Sequence, residues 1–195
     1  MGNDVELARV RKSELRTKIL RARRELAPER RRAEADALVT AVADVVPPGQ
    51  VVCAYVPIGS EPGSLAMLDA MTAAGAKVLL PVARSGPLSW GSYVQGGLVD
   101  AEFGLREPTP PWLPPDTVAT ARVVLVPALA VDRAGIRLGR GAGFYDRSLR
   151  LADPTAKLVA VVRDDELMES LPGEAHDVPM THALTPGRGL LRLGA

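Results

Sequence analysis

An α/β fold with an open, mostly parallel sheet and helices on both faces is the architecture this sequence predicts. Short, nearly all-apolar runs of strand length recur along the chain, helix-length segments separate them, and no repeat of 20 to 50 residues interrupts the alternation. The 195 residues, 47% hydrophobic and 24% charged with formal net charge +1, suffice for one such domain spanning 1–195 with a sizeable core. Cys53 is the lone cysteine, which excludes an intramolecular disulfide, and with only two histidines no Cys/His zinc cluster can be assembled. Any metal is therefore expected to be a hard, oxygen-liganded ion. No apolar stretch reaches bilayer-spanning length and the N-terminus is charged, so a cytoplasmic protein without a membrane partner is expected. A monomer without a nucleic-acid partner is the accompanying expectation, although the oligomeric state is not legible in the sequence.

The elements follow in order. Residues 1–34 carry 11 Lys/Arg against 6 Asp/Glu, a net +5 that leaves −4 for the remainder. Within them Leu15, Ile19, Ala22 and Leu26 recur at helical spacing, predicting an amphipathic helix over 4–26 with a basic outer face. Ala27-Pro28-Glu29 starts a second helix, which runs to about Val46 before Pro47-Pro48-Gly49, so a basic helical segment spans about 4–46. Val51–Val56 reads as a buried strand, Leu65–Ala74 as a helix stopped by Gly75, and Val78–Val82 as the next strand, together a parallel crossover unit. Leu88–Val94 is a further strand candidate, and the Pro-rich Glu107–Asp116 reads as a loop. Val123–Val126 and Leu158–Val162 repeat the buried-strand signature around a helix over Phe144–Leu151, and Leu190–Leu193 closes the sheet. Ligands of such sheets bind at the carboxyl ends of the strands, so the residues after each strand are where chemistry is expected.

The densest of these segments runs from Arg137 to Arg147. Gly139, Gly141 and Gly143 free the backbone to turn N–H groups toward one point, a helix start adds partial positive charge, and Arg137 and Arg140 supply forked donors that match phosphate oxygens. The spacing is neither that of a Walker A loop nor that of the dinucleotide fingerprint. Asp132 and Asp146 would set carboxylates beside this cradle, as a magnesium nucleotide requires. Read alone, the same loop is also a glycine-rich turn with solvated arginines, and Lys12 and Arg16 are a solvated helical face.

The stretch Val126–Arg147, with Val131-Asp132, Gly139-Arg140-Gly141-Ala142-Gly143 and Phe144-Tyr145-Asp146 at its centre, resembles the signature of the 5-formyltetrahydrofolate cyclo-ligase family. Lys12 and Arg16, Tyr55-Val56-Pro57 followed by Glu61, Phe103-Gly104-Leu105-Arg106-Glu107-Pro108 and His176-Asp177 agree with it in order, so the resemblance covers nearly the whole chain. It implies ATP- and Mg²⁺-dependent closure of 5-formyltetrahydrofolate to 5,10-methenyltetrahydrofolate through a phosphorylated formyl group, with release of ADP and phosphate. Such a reaction calls for phosphate positioning and water exclusion more than for an enzymic nucleophile, and the chain has no nucleophile constellation.

Residue by residue, the resemblance implies that Lys12, Arg16 and the run Arg137, Leu138, Gly139, Arg140, Gly141, Ala142, Gly143, Phe144, Tyr145 contact the nucleotide. It places Arg140 and Tyr145 in catalytic roles. Arg16, Val56, Glu61 and Arg140–Phe144 would border the folate, and Asp146 and Asp177 would hold Mg²⁺. The sequence departs from the family pattern at Phe144, where tyrosine is common, at Ser64, where threonine is common, and at Val131, where an aromatic residue is usual. Two other readings compete: an RNA- or ligand-binding protein on the same scaffold, and a sugar-phosphate enzyme using the cradle for its substrate. The balanced overall charge disfavours the first, and the pairing of Asp146 with Asp177 favours a magnesium nucleotide over both.

Overall fold

The computed structural model describes residues 2–174 and 177–194. Two helices come first, α1 (Gly2–Glu25) and α2 (Pro28–Val42), divided by Ala27 and with proline at the first position of the second. Strand β1 (Val51–Cys53), helix α3 (Leu65–Ala73) and strand β2 (Lys77–Val82) form the expected crossover, followed by β3 (Ser89–Ser92), β4 (Leu98–Asp100) and β5 (Arg106–Pro108). The second half contains β6 (Val123–Pro127), β7 (Ala130–Asp132), β8 (Arg137–Leu138), α4 (Phe144–Leu149), β9 (Lys157–Val161), β10 (Leu167–Met168), β11 (His182–Thr185) and β12 (Gly189–Arg192).

Seven strands form the main sheet in the order β12-β11-β9-β6-β1-β2-β3. The pairs from β11 to β2 are parallel and the two edge strands, β12 and β3, are antiparallel to their neighbours. The inner strands are apolar on both faces because both are covered. Val52, Val78, Leu80, Val123, Leu125, Val159 and Val161 pack with Leu38 and Val42 of α2 and with Met67, Leu68 and Met71 of α3. The alternate residues, Cys53, Leu79, Val124, Val126, Leu158 and Ala160, pack with Leu149 of α4 and Val118.

Three expectations are corrected. The strand over 51–56 pairs only through Cys53, although the residues up to Tyr55 stay buried. The Pro-rich stretch is not all loop, since Arg106–Pro108 pairs with β4. The inner face of α1 is polar as well as apolar: Ala22 is exposed, while Lys12, Ile19 and Arg23 are buried. Helix α1 lies on a small sheet, β10-β7-β8, through Ile19, Leu129, Ala130 and Leu138.

Arg23 fixes that docking. Its Nε and one terminal nitrogen bind the two oxygens of Glu166 at 2.6 and 2.7 Å, and the latter nitrogen also donates to the carbonyl of Ala128 at 2.7 Å. Glu166 in turn accepts the backbone N–H of Arg163 at 2.8 Å. A buried bidentate pair adds modest net stability, but removing one partner strands the other's charge out of water. Glu166→Ala is expected to destabilise the fold by about 3 kcal/mol, read as a lower urea midpoint. Arg23→Met combined with Glu166→Leu should cost less than either charge-stranding single change.

Candidate functional site

The order of the main sheet reverses at β1: the chain crosses to β2 on one side and later returns to β6, β9 and β11 on the other. A topological switch point of this kind leaves a crevice at the carboxyl ends of the adjacent strands. Here the crevice is a cavity of about 890 Å³, within the usual range for small-molecule sites. Val56, Ile58 and Glu61 enter it after β1, Ala83 after β2 and Pro127 at the end of β6. Helix α1 adds Lys12 and Arg16, and β8, the glycine loop after it and the start of α4 add Arg137 to Asp146. The nucleotide, folate and metal candidates Lys12, Arg16, Val56, Glu61, Arg137 to Asp146 and Asp177 all line this one cavity, and Asp132 does not.

The glycine loop begins where strand pairing ends, because β8 pairs with β7 only through Leu138. Gly141 and Gly143 have φ of +104° and +69°, the left-handed region that side chains resist, so the loop turns sharply before α4. Its position is tied to the N-terminal helix by Arg16, whose Nε donates to the carbonyl of Gly139 at 2.9 Å. The guanidinium lies 3.9 Å from where a Cβ on Gly141 would stand, so the missing side chain leaves room between arginine and loop.

Lys12, Arg16, Arg137 and Arg140 each have an anionic or carbonyl partner. Lys12, 7% exposed, donates to Glu174 at 3.1 Å and Asp177 at 3.4 Å. Arg137 donates to Asp146 and, at 3.0 Å, to the carbonyl of Val178. Arg140 donates from Nε to Glu61 at 3.0 Å. The other Glu61 oxygen accepts the N–H of Ile58 at 3.1 Å. Burial holds the Glu61 pKa above the ordinary carboxylate value, against the Ile58 hydrogen bond and the charge of Arg140, which pull it down. The Tyr145 hydroxyl is pushed up, first by burial and then by Glu61 and Cys53, so it remains a proton donor at neutral pH.

Asp132 is corrected: it caps backbone rather than joining the cradle, its two oxygens accepting the N–H groups of Ile136 and Leu171 at 2.8 Å each. Trp90 and Tyr93 are core residues, and Trp112 lies under Arg84, 4.4 Å from the guanidinium carbon to the ring centre. His176 lies outside the described residues. Two acids in the cavity were not singled out beforehand. Glu174 stands three residues before Asp177, and Glu107, 4% exposed, accepts the N–H of Ala83 at 2.9 Å. Glu174 carried no local signal, and Glu107 stood in the Phe103–Pro108 segment of the resemblance without a role assigned to it.

The donor set suits a magnesium polyphosphate. Lysine and arginine side chains converge on a loop open to close backbone approach, and the acids supply hard oxygens. Among the described residues no group of three or more acids, histidines or cysteines could hold a metal alone.

A model of the 5-formyltetrahydrofolate cyclo-ligase family matches residues 8–186. The chain is 58% identical over 188 residues to a 5-formyltetrahydrofolate cyclo-ligase of Mycolicibacterium smegmatis, covering 93% of this chain and 97% of that one. A 5-formyltetrahydrofolate cyclo-ligase of Escherichia coli is 28% identical over 179 residues, covering 87% and 97%. The solved structure of Aquifex aeolicus 5,10-methenyltetrahydrofolate synthetase superposes with a TM-score of 0.77 at 28% identity, covering 94% and 93%.

The raised pKa of Glu61 has a measurable consequence. Its contribution to stability is fully present below the ordinary carboxylate value and is lost as pH rises through the folded value, where the buried group must ionise. Glu61→Gln should therefore match the wild-type Tm at about pH 4 and exceed it by roughly 2 °C near neutrality. Equal Tm differences at both pH values would show that burial of this charge does not matter.

Proposed function

The chain belongs to the 5-formyltetrahydrofolate cyclo-ligase family, and from that premise we propose that its cavity binds 5-formyltetrahydrofolate beside ATP and Mg²⁺ and closes the folate to its 5,10-methenyl form. The supporting observation is the single cavity in which Glu61 and Val56 face the glycine-arginine loop across one short ion pair. The acid and the apolar wall suit a pterin, and the loop suits a triphosphate.

On this reading Lys12, Arg16 and Arg137 neutralise the phosphates, and Arg140 leaves Glu61 for the transferring phosphoryl group. Glu61, relieved of Arg140, accepts N–H groups of the pterin. The backbone of Arg140–Phe144 borders the formyl group, and Tyr145, lining the same cavity, keeps its hydroxyl protonated. Asp146 and Asp177 would hold Mg²⁺, which when bound draws off phosphate charge and orients the terminal phosphoryl group. The formyl oxygen on N5 takes that phosphoryl group, ADP leaves, N10 attacks the formyl carbon and loses its proton, and the C–O bond breaks to release phosphate. The chain's contribution is positioning, charge stabilisation and exclusion of water, with no covalent enzyme intermediate.

The test is the absorbance of methenyltetrahydrofolate formed by purified protein with and without ATP. Product should require both ATP and Mg²⁺, and its absence with both present overturns the reading. Arg140→Ala is expected to lower kcat by about 10²-fold while leaving the Tm nearly unchanged, since the side chain is a loop donor and packs little. Wild-type turnover with a lowered Tm would make Arg140 structural.

Asp146→Asn and Asp177→Asn should each raise the Mg²⁺ concentration for half-maximal activity, and in the double variant the effects should fall short of the product of the two. An unchanged Mg²⁺ dependence removes that residue from the metal site.

A further inference from the structure

Arg163 stands just past the carboxyl end of β9, and its side chain is only 4% exposed and outside the cavity. Its Nε donates to Glu34 of α2 at 2.7 Å, and its terminal NH1 donates to the carbonyl of Ser60 at 3.1 Å. Glu34 at 2.7 Å is its close anionic partner, while Glu166, already bound by Arg23, stands 3.9 Å away. The bond to Ser60, a neutral carbonyl, adds nothing to charge balance. It is the part of the fork left over for the loop.

That loop carries Glu61. Gly59 has φ of +58°, and the N–H of Glu61 donates to the carbonyl of Ile58 at 3.1 Å while its carboxylate accepts the N–H of Ile58. These bonds close the turn on itself but do not aim it. The peptide joining Ser60 to Glu61 is the last backbone unit before the carboxylate, and Arg163 holds its oxygen from the sheet side. With that carbonyl fixed, the Glu61 side chain leaves toward the cavity and meets Arg140.

We propose that Arg163 is a positioning residue for the Glu61 carboxylate, and so for the folate half of the cavity rather than the nucleotide half; this rests on the reading of Glu61 as a folate contact. Arginine is required because one planar fork reaches a carboxylate and a carbonyl on two different elements. Lysine offers one compact ammonium, which can satisfy Glu34 but not span both.

Arg163→Lys keeps the charge and tests the fork. It is expected to raise KM for 5-formyltetrahydrofolate by about tenfold, the equivalent of one hydrogen bond to a charged group, with no matching rise in KM for ATP. Glu61→Gln should raise the same KM, and adding Arg163→Lys to it should cause little further change, because both act through one carboxylate. Hydrogen exchange of the peptide covering 58–61 should be faster in Arg163→Lys than in wild type. The inference is overturned if exchange in that turn is unchanged, if KM for both substrates rises together, or if the two substitutions multiply. If Glu61→Gln leaves the folate KM unchanged while the turn still loosens in Arg163→Lys, the folate reading of Glu61 fails and the hold of Arg163 on the turn survives.

Discussion

The buried pair of Arg23 with Glu166 is the constraint on which the rest of the site hangs. A guanidinium with 1% of its side chain exposed needs a bidentate partner, and Glu166 accepts from both Arg23 and the N–H of Arg163. Once Arg23 is seated, helical geometry does the remainder. Residues 7 and 11 positions back lie on the same face, roughly 10 and 16 Å along the axis. They are Arg16 and Lys12, so an anchor far from the chemistry delivers two cations to the cavity.

Bringing Lys12, Arg16, Arg137 and Arg140 into one cleft would be costly if each stood bare. Each instead has an oxygen partner from another part of the chain: Glu174 and Asp177, the carbonyl of Gly139, Asp146 and Glu61. These pairs hold the cations in place. On the function proposed above they yield to phosphate oxygens, and the acids among the partners then become hard oxygen donors or pterin acceptors.

The main sheet was legible because its inner strands are buried on both faces and so appear as unbroken apolar runs, such as Val123–Val126 and Leu158–Val162. Strands β7, β8 and β10 have two or three residues each and no periodicity long enough to register. On α1 the apolar spacing from Leu15 pointed to Ala22, whereas Arg23 turns inward. A buried arginine looks like any solvated one until its partner, 143 residues later, is in place. The glycine loop announced itself through composition. The pairing of Arg140 with Glu61 across 79 residues did not, because only the sheet order brings those loops together. Asp132 misled for the converse reason: an acid beside a cradle looks like a ligand, but its oxygens are consumed by backbone N–H groups.

Lys12 meets Asp177 across 165 residues, and both line the cavity. Helix α1 is therefore not seated by its neighbours in sequence. Its buried Arg23 and Lys12 find their partners 143 and 165 residues later, so the helix that carries two of the cleft's cations docks on the far half of the chain. A single backbone cut between the halves would leave both ion pairs without a covalent tether at once.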